Sequence, residues 1–110
     1  AYKISKRIDD DISSVCASFN FEIVKKKIKN VRIAFGGMSS IPKRAINCEK
    51  ILQNSDLTKN VIIQARESLK KDFKPISDMR ASDNYRMEVA KNLISKCFFE
   101  IQNKKLIRLN

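Results

Sequence analysis

An alternating segment near the start of the chain constrains the fold most strongly. Between residues 15 and 23 apolar side chains occupy every second position, while the positions between them are mostly polar. The apolar set is Val15, Ala17, Phe19, Phe21 and Ile23. A two-residue period is typical of a half-buried β-strand. We therefore expect a sheet with one apolar face, which the rest of the chain must cover.

The residues before this strand carry many opposite charges. Lys3, Lys6 and Arg7 meet three consecutive aspartates, residues 9–11, within nine positions. Burying so many charges in a small domain would cost much desolvation energy. We therefore predict a loop that lies in water or faces a polar ligand. A metal site is disfavoured, because consecutive residues of an extended segment point in alternating directions. Pairing of the acids with neighbouring bases, or with arginines elsewhere in the chain, is favoured.

A second alternating segment follows after a lysine-rich break. Residues 24–30 are polar and rich in lysine, and residues 31–35 alternate again before Gly36 and Gly37. Two such strands with a short connection predict an antiparallel hairpin, although no Asn-Gly or Asp-Gly pair fixes its turn type. The two glycines are the only ones in the chain. Their adjacency indicates a positive φ or a close approach of another backbone.

The remainder of the chain predicts helices. Residues 38–47, interrupted by Pro42, suggest an edge strand or extended crossing, with Asn47 as N-cap of a short helix over residues 48–53. Apolar spacing predicts a helix at residues 57–72 and a longer one at residues 84–102, capped by Ser82 or Asp83. The apolar face of the longer helix comprises Val89, Ala90, Leu93, Ile94, Cys97, Phe98 and Ile101.

This order of elements defines a fold class. Strands come first and helices follow, which is typical of an α+β domain. We expect a small three- to four-stranded antiparallel sheet covered on one face by about three helices, within residues 1–103. Residues 104–110 are expected to form a basic tail.

Length and composition limit the number of domains and the cellular location that we expect. The chain has 110 residues, of which 43% are hydrophobic, so a single globular domain is expected. It has no apolar run long enough to cross a bilayer, and we expect no membrane contact and a cytoplasmic location. Since the sequence lacks an initiator Met and a strand-forming segment begins almost at once, we expect a piece of a longer polypeptide.

Charge and side-chain chemistry narrow the possible functions. A net charge of +11 makes nucleic acid a possible partner, bound through residues 25–29 and 104–108. Nucleic-acid binding is the alternative hypothesis. It is weakened because the basic residues are scattered and the aromatic residues lie mostly on apolar faces. The chain has no histidine, which excludes His-based catalysis and most zinc sites. Its three cysteines are widely spaced and fit small apolar residues in a reducing compartment.

Several runs of sequence together resemble one family. These are AYKISKRIDDDISSVCASF, VRIAFGGMSSIPKRA, Glu49 with the region of Leu52, and PISDMRASDNYRMEVAKNLI. In this order they are similar to the C-terminal domain of the FAD-binding subunit of xanthine dehydrogenase. That domain belongs to the wider molybdenum hydroxylase family, which includes the carbon monoxide dehydrogenase flavoprotein. The resemblance covers nearly the whole chain, up to about Phe98, and implies an α+β domain.

The resemblance also implies a cofactor, partners and site residues. In that family electrons pass from molybdopterin through iron-sulfur clusters, in partner domains or subunits, to FAD and then to NAD or oxygen. This domain would close over the flavin, while upstream FAD-binding domains supply most contacts. Lys3 matches a flavin-contacting lysine, and Arg7 and Asp10 lie in a segment that matches the one beside the flavin ring. The lysine-rich hairpin tip and the tail after Phe99 depart from the family pattern.

Overall fold

A four-stranded antiparallel sheet and three helices make up the fold. The computed structural model describes residues 2–10, 15–38, 41–73 and 81–103. The strands are β1 (Tyr2–Asp9), β2 (Cys16–Val24), β3 (Lys27–Gly36) and β4 (Lys43–Arg44), in that spatial order. The helices are α1 (Ile46–Leu52), α2 (Lys59–Asp72) and α3 (Ala81–Asn103). Within the described ranges, no helix combines the length and apolar character needed to cross a membrane.

The apolar face of the sheet packs against the helices, which confirms the predicted α+β class. Alternate residues of β2 are buried, as are Ile28, Val31, Ile33 and Phe35 of β3. Phe98 of α3 lies 6.3 Å from the ring of Phe19 and 5.6 Å from that of Phe21. Burying one such aromatic side chain stabilises the fold by roughly 1.5–3 kcal/mol. The predicted apolar face of the last helix is buried throughout.

The charged opening forms a strand, so the prediction of a loop is wrong for β1. Tyr2–Asp9 pairs antiparallel with β2 along its whole length. The desolvation argument overlooked alternation, which places Lys3, Arg7 and Asp9 on the side away from the helices. Lys6 faces the helices, and its Nζ lies 2.9 Å from the Glu100 carboxylate of α3. The third aspartate of the run, Asp11, lies outside the described residues.

The hairpin between β2 and β3 is tighter than predicted. Its turn is only Lys25 and Lys26, because Val24 already pairs with Lys27. Both turn residues have positive φ, 51° at Lys25 and 68° at Lys26, as a type I′ turn requires. The predicted break over residues 24–30 is therefore wrong. Lysine is an unusual occupant of this conformation, so the turn carries none of the usual sequence signals.

A bulge in β3 explains why simple alternation failed there. Asn30 has a φ of 52°, and the register with β2 shifts between Asn20 and Glu22. The extra residue resets the alternation, so Ile28 and Val31 both point to the core although three positions separate them. The bulge thus lengthens the apolar face of β3 by one residue beyond the predicted strand.

Gly36 and Gly37 have different structural roles. Gly37 has a φ of 86°, a conformation that disfavours other residues, so the expected positive φ is confirmed. A Cβ on Gly36 would lie 2.9 Å from the Sγ of Cys16, so this glycine makes room for a side chain rather than for another backbone. Of the two alternatives predicted for the segment around Pro42, the structure has the short edge strand, β4.

Helix α1 is capped from another helix, which corrects the assignment of Asn47. The helix begins at Ile46, so Asn47 lies inside it. The carboxylate of Asp72, at the end of α2, accepts hydrogen bonds from the backbone N–H groups of Asn47 (2.8 Å) and Cys48 (3.1 Å). The cap is therefore 25 residues away in sequence, beyond the reach of a local pattern.

The two longer helices run beside one another and are joined by polar contacts. Thr58 caps α2 by accepting a hydrogen bond from the N–H of Val61. Arg66 of α2 donates to the hydroxyl of Ser95 (2.7 Å), and buried Lys91 of α3 pairs with Glu67 (3.2 Å). Because α3 begins at Ala81, the proposed caps Ser82 and Asp83 fall in its first turn, which corrects that prediction.

Candidate functional site

Strand β1 carries the residues that the resemblance singled out. Lys3, Ser5, Arg7 and Asp9 alternate along the side of β1 that faces away from the helices. Lys3 lies opposite Glu22 of β2 and is exposed. Among the described residues its ammonium group makes no hydrogen bond or ion pair. Lys3 is thus a cation at the edge of the sheet that is available to a ligand.

Arg7 is held by its neighbours along the sheet. Its Nε lies 3.3 Å from the Asp9 carboxylate, and its Nη2 lies 3.9 Å from the Sγ of Cys16. The hydrogen bond and charge of Asp9 raise the pKa of the guanidinium, so Arg7 is positively charged at any physiological pH. The predicted pairing of an acid of this segment with a neighbouring base is confirmed for Asp9.

Asp10 follows the end of β1 and is half-buried. Its backbone N–H donates to the carbonyl of Val15, at 3.1 Å, so the chain is fixed where it leaves the strand. Lys3 and Arg7 are four residues apart on one strand, roughly 13 Å along its axis. The three residues therefore line one edge of the sheet and do not converge on one point.

This geometry can be compared with what FAD requires. A charged strand edge with an unpaired lysine fits the polar rim of a bound flavin, and the fixed cation of Arg7 could act on its electronics. An edge supplies only one wall, however, whereas a tight site buries most of its ligand. Lys3, Arg7 and Asp10 thus fit a domain that covers a flavin held mainly by other parts of a protein.

Other polar groups of the chain have structural partners. Glu49 of α1 is only 6% exposed, and its carboxylate accepts from the N–H of Ile33 (2.8 Å) and from Arg44 (2.6 Å). Gln53 accepts from the N–H of Val31 at 3.1 Å. These contacts provide partners for backbone N–H groups on the edge of β3 beyond the end of β4. Within the described residues, no group of three or more His, Cys, Asp or Glu side chains could hold a metal ion.

The basic hairpin tip is partly engaged in internal contacts. The Nζ of Lys27 lies 3.4 Å from the Asp56 carboxylate, and Lys29 donates to the side-chain carbonyl of Asn54. Two of the lysines invoked for nucleic-acid binding therefore already have partners. Residues 104–108, the other half of that hypothesis, lie outside the described residues.

Sequence reasoning missed one feature of this surface. The alternation of Lys3, Ser5, Arg7 and Asp9 with Ile4 and Ile8 is a strand pattern, but the density of charge concealed it. Arg32 of β3 also lies on the open face, opposite Asn20 of β2. The same alternation could have placed it there.

The fold and this surface define a small α+β domain that offers one charged wall. The sequence profile of the CO dehydrogenase flavoprotein C-terminal domain matches residues 1–101. The chain belongs to that family.

Curated relatives agree with this assignment. The glyceraldehyde dehydrogenase medium chain of Sulfolobus acidocaldarius is 28% identical over 100 residues, which are 91% of this chain and 36% of that protein. The xanthine dehydrogenase FAD-binding subunit of Escherichia coli is 26% identical over 99 residues, 90% of this chain and 34% of that protein. The chain thus spans about a third of the length of these relatives.

Solved structures share the fold. A carbon monoxide dehydrogenase from Hydrogenophaga pseudoflava superposes with a TM-score of 0.74 at 16% identity, covering 87% of this chain and 35% of that one. Quinoline 2-oxidoreductase from Pseudomonas putida 86 gives a TM-score of 0.73 at 17% identity, covering 91% of this chain and 37% of that one. At these identities the likeness concerns the fold alone.

Proposed function

We propose that this chain acts as the C-terminal domain of an FAD-binding subunit of the xanthine dehydrogenase type. The observation that carries the proposal is the family match over residues 1–101. The similarity to a xanthine dehydrogenase FAD-binding subunit supports the finer assignment. In this role the domain closes over a flavin and belongs to an oxidoreductase of the molybdenum hydroxylase family, located in the cytoplasm and active in purine catabolism.

The partners follow from the same proposal. FAD, when bound, accepts electrons and passes them on. The electrons would come from a molybdopterin centre through iron-sulfur clusters in partner subunits or domains, and NAD or oxygen would receive them. Upstream FAD-binding domains would supply the main flavin contacts. The present domain contributes cover and charge and has no activity of its own.

Three residues of this chain would act at the flavin. Lys3 supplies a mobile ammonium group that can donate to a carbonyl or phosphate oxygen. Arg7 supplies a positive charge whose position is fixed by Asp9, 3.3 Å away. Asp10 supplies a carboxylate at the end of β1. Fixed charges near a flavin tune its reactivity, and a domain laid over the flavin excludes water from it.

This division of labour predicts weak flavin binding by the chain alone. One strand edge cannot provide the buried contacts that offset the entropy lost on binding. Titrating FAD into the purified chain while following flavin fluorescence should therefore show no sub-micromolar binding. Sub-micromolar affinity would show that the chain holds FAD by itself and would contradict the proposal.

A further inference from the structure

The face of the sheet away from the helices has an unusual centre. Along β2 and β3 that centre consists of small, half-buried residues, namely Cys16, Ser18, Ala34 and Gly36. No helix of the described chain covers this side, since the helices contact the sheet through its apolar face. Small side chains leave the backbone of a sheet accessible to another surface, whereas long polar side chains would shield it.

Arginines flank this centre in a row across the sheet. The register places Arg7 opposite Ser18, Ser18 opposite Ala34, and Ala34 opposite Arg44. Arg32 lies two residues from Ala34 on the same strand and face, roughly 7 Å away. Arg7 contacts Asp9 and Arg44 contacts Glu49. Arg32 is exposed, and in the described part of the chain its guanidinium makes no hydrogen bond or ion pair.

The charges of this face are biased towards cations. By register it carries six cationic side chains and three carboxylates; the cations are Lys3, Arg7, Lys27, Lys29, Arg32 and Arg44, and the carboxylates are Asp9, Glu22 and Asp56. Asp56 pairs with Lys27, and Glu49 of α1 pairs with Arg44 at the edge. A face adapted only to water usually intersperses both signs. We name this surface the basic sheet face. Its bias complements a surface rich in Asp and Glu.

The shape of the basic sheet face favours a protein over a nucleic acid. Its cations lie on three of the four strands, β1, β3 and β4, rather than around one point, so they match several carboxylates on a broad surface. The phenylalanines of β2 and β3 all face the helices, and the described residues of the open face include no aromatic ring on which a base could stack.

We propose that the basic sheet face docks the acidic surface of a folded protein partner. Arg32 lies beside the centre of this face and, like Lys3 at the β1 edge, is a cation without an internal partner among the described residues. The inference does not depend on flavin binding. Lys3 and Arg7, which belong to the flavin proposal, lie at the β1 edge of this face, and the experiment below leaves both unchanged.

Cys16 provides a reporter at one end of the basic sheet face, where it begins β2 opposite Asp9 and Gly36. It is half-buried there, whereas Cys48 and Cys97 are fully buried, and burial raises the pKa of both their thiols to about 12. N-ethylmaleimide should therefore modify Cys16 first. The probe is poly-L-glutamate, added to the 110-residue chain at a near-physiological salt concentration. We expect bound poly-L-glutamate to slow modification of Cys16 about fivefold or more.

Two variants with the same change of charge make the test specific. Arg32→Glu should abolish the protection of Cys16, while Lys59→Glu, at an exposed position of α2 on the helical side, should preserve it. If Arg32→Glu fails to fold, Arg32→Gln replaces it and should reduce the protection. Absent protection, or equal loss in both variants, would overturn the proposal. Stronger protection by a single-stranded DNA oligonucleotide than by poly-L-glutamate would also overturn it, in favour of a nucleic-acid partner.

Discussion

At the scale of single residues, charge placement in β1 is the main outcome. The strand carries Lys3, Arg7 and Asp9 outward and Lys6 inward, where Glu100 neutralises it at 2.9 Å. Each charge therefore stays in water or has a partner, and the strand has no unpaired buried charge. Lys6, Arg7 and Asp9 each have a partner, whereas Lys3 has none among the described residues. Its roles are therefore those proposed above.

The role of Lys3 can be tested in the intact subunit. If its ammonium group contacts the flavin, Lys3→Ala should lower FAD retention or slow reoxidation by NAD, with a loss of about 1–3 kcal/mol. The melting temperature should not change, because an exposed lysine contributes little to stability. Lys50→Ala, at an exposed position of α1, is the matched control. Flavin content and turnover equal to those of the control would remove Lys3 from the site.

At the scale of secondary-structure elements, turns and caps depend on partners or conformations that sequence patterns conceal. The apolar periods of β2, α2 and α3 are explicit in the sequence and predicted these elements well. The two-lysine turn adopts positive φ without glycine or asparagine, so local residue preferences do not indicate it. Asn30 is a residue type that tolerates positive φ, but one asparagine does not by itself predict a bulge. The sequence analysis did not predict strand β1, because the desolvation argument ignored the alternation of its charged and apolar side chains. The site residues came from the family resemblance, because nothing in their spacing indicates a flavin.

Substitutions in the turn between β2 and β3 should be able to stabilise the fold. Replacing Lys25 by Asn and Lys26 by Gly supplies the residues that a type I′ turn prefers. We expect the free energy of unfolding to rise by about 1 kcal/mol, measured by urea denaturation, because positive φ at lysine is costly. Lys50→Gly in α1 is the control and should destabilise the chain by about 1 kcal/mol. A destabilising effect of the turn variant would contradict the turn conformation.

The cap that α2 provides for α1 makes a second prediction at this scale. Asp72 is 5% exposed and accepts from two N–H groups at the start of α1. Asp72→Ala should lower the free energy of unfolding by about 1–3 kcal/mol, since it removes the cap and leaves buried donors unsatisfied. Asp9→Ala removes an exposed carboxylate whose partner among the described residues is Arg7, and it should cost less than about 1 kcal/mol. Equal losses in the two variants would show that Asp72 is not a cap.

At the scale of the whole molecule, the core encloses two thiols that respond to alkaline pH. Burial raises the pKa of Cys48 and of Cys97 from 9.0 to about 12. In the unfolded chain each thiol loses its proton near pH 9, whereas in the fold it keeps it. Folding stability is therefore complete below pH 9 and falls as the pH rises from about 9 towards 12.

This linkage has a measurable size. At pH 10, one unit above the pKa of an unfolded thiol, each buried thiol should lower the free energy of unfolding by about 1.4 kcal/mol. Urea unfolding at pH 8 and pH 10 should show a smaller loss for Cys97→Val than for the unmodified chain, because one thiol no longer titrates. Cys16→Ser, which changes a half-buried thiol on the open face, is the control and should retain most of the loss. If the Cys97 variant loses as much stability as this control, burial does not govern the alkaline response.

The packing of Phe98 on Phe19 and Phe21 has a consequence for biosynthesis. The sheet is made first, yet the apolar side of β2 gains this cover only when α3 has left the ribosome, more than 70 residues after β2 is complete. At roughly 5–20 residues per second, this interval lasts about 4–15 seconds. Throughout it the nascent hairpin displays Phe19 and Phe21 without the cover of Phe98. Chaperone binding to the growing chain should therefore be strongest in this window and should end as the turn of α3 that carries Phe98 docks.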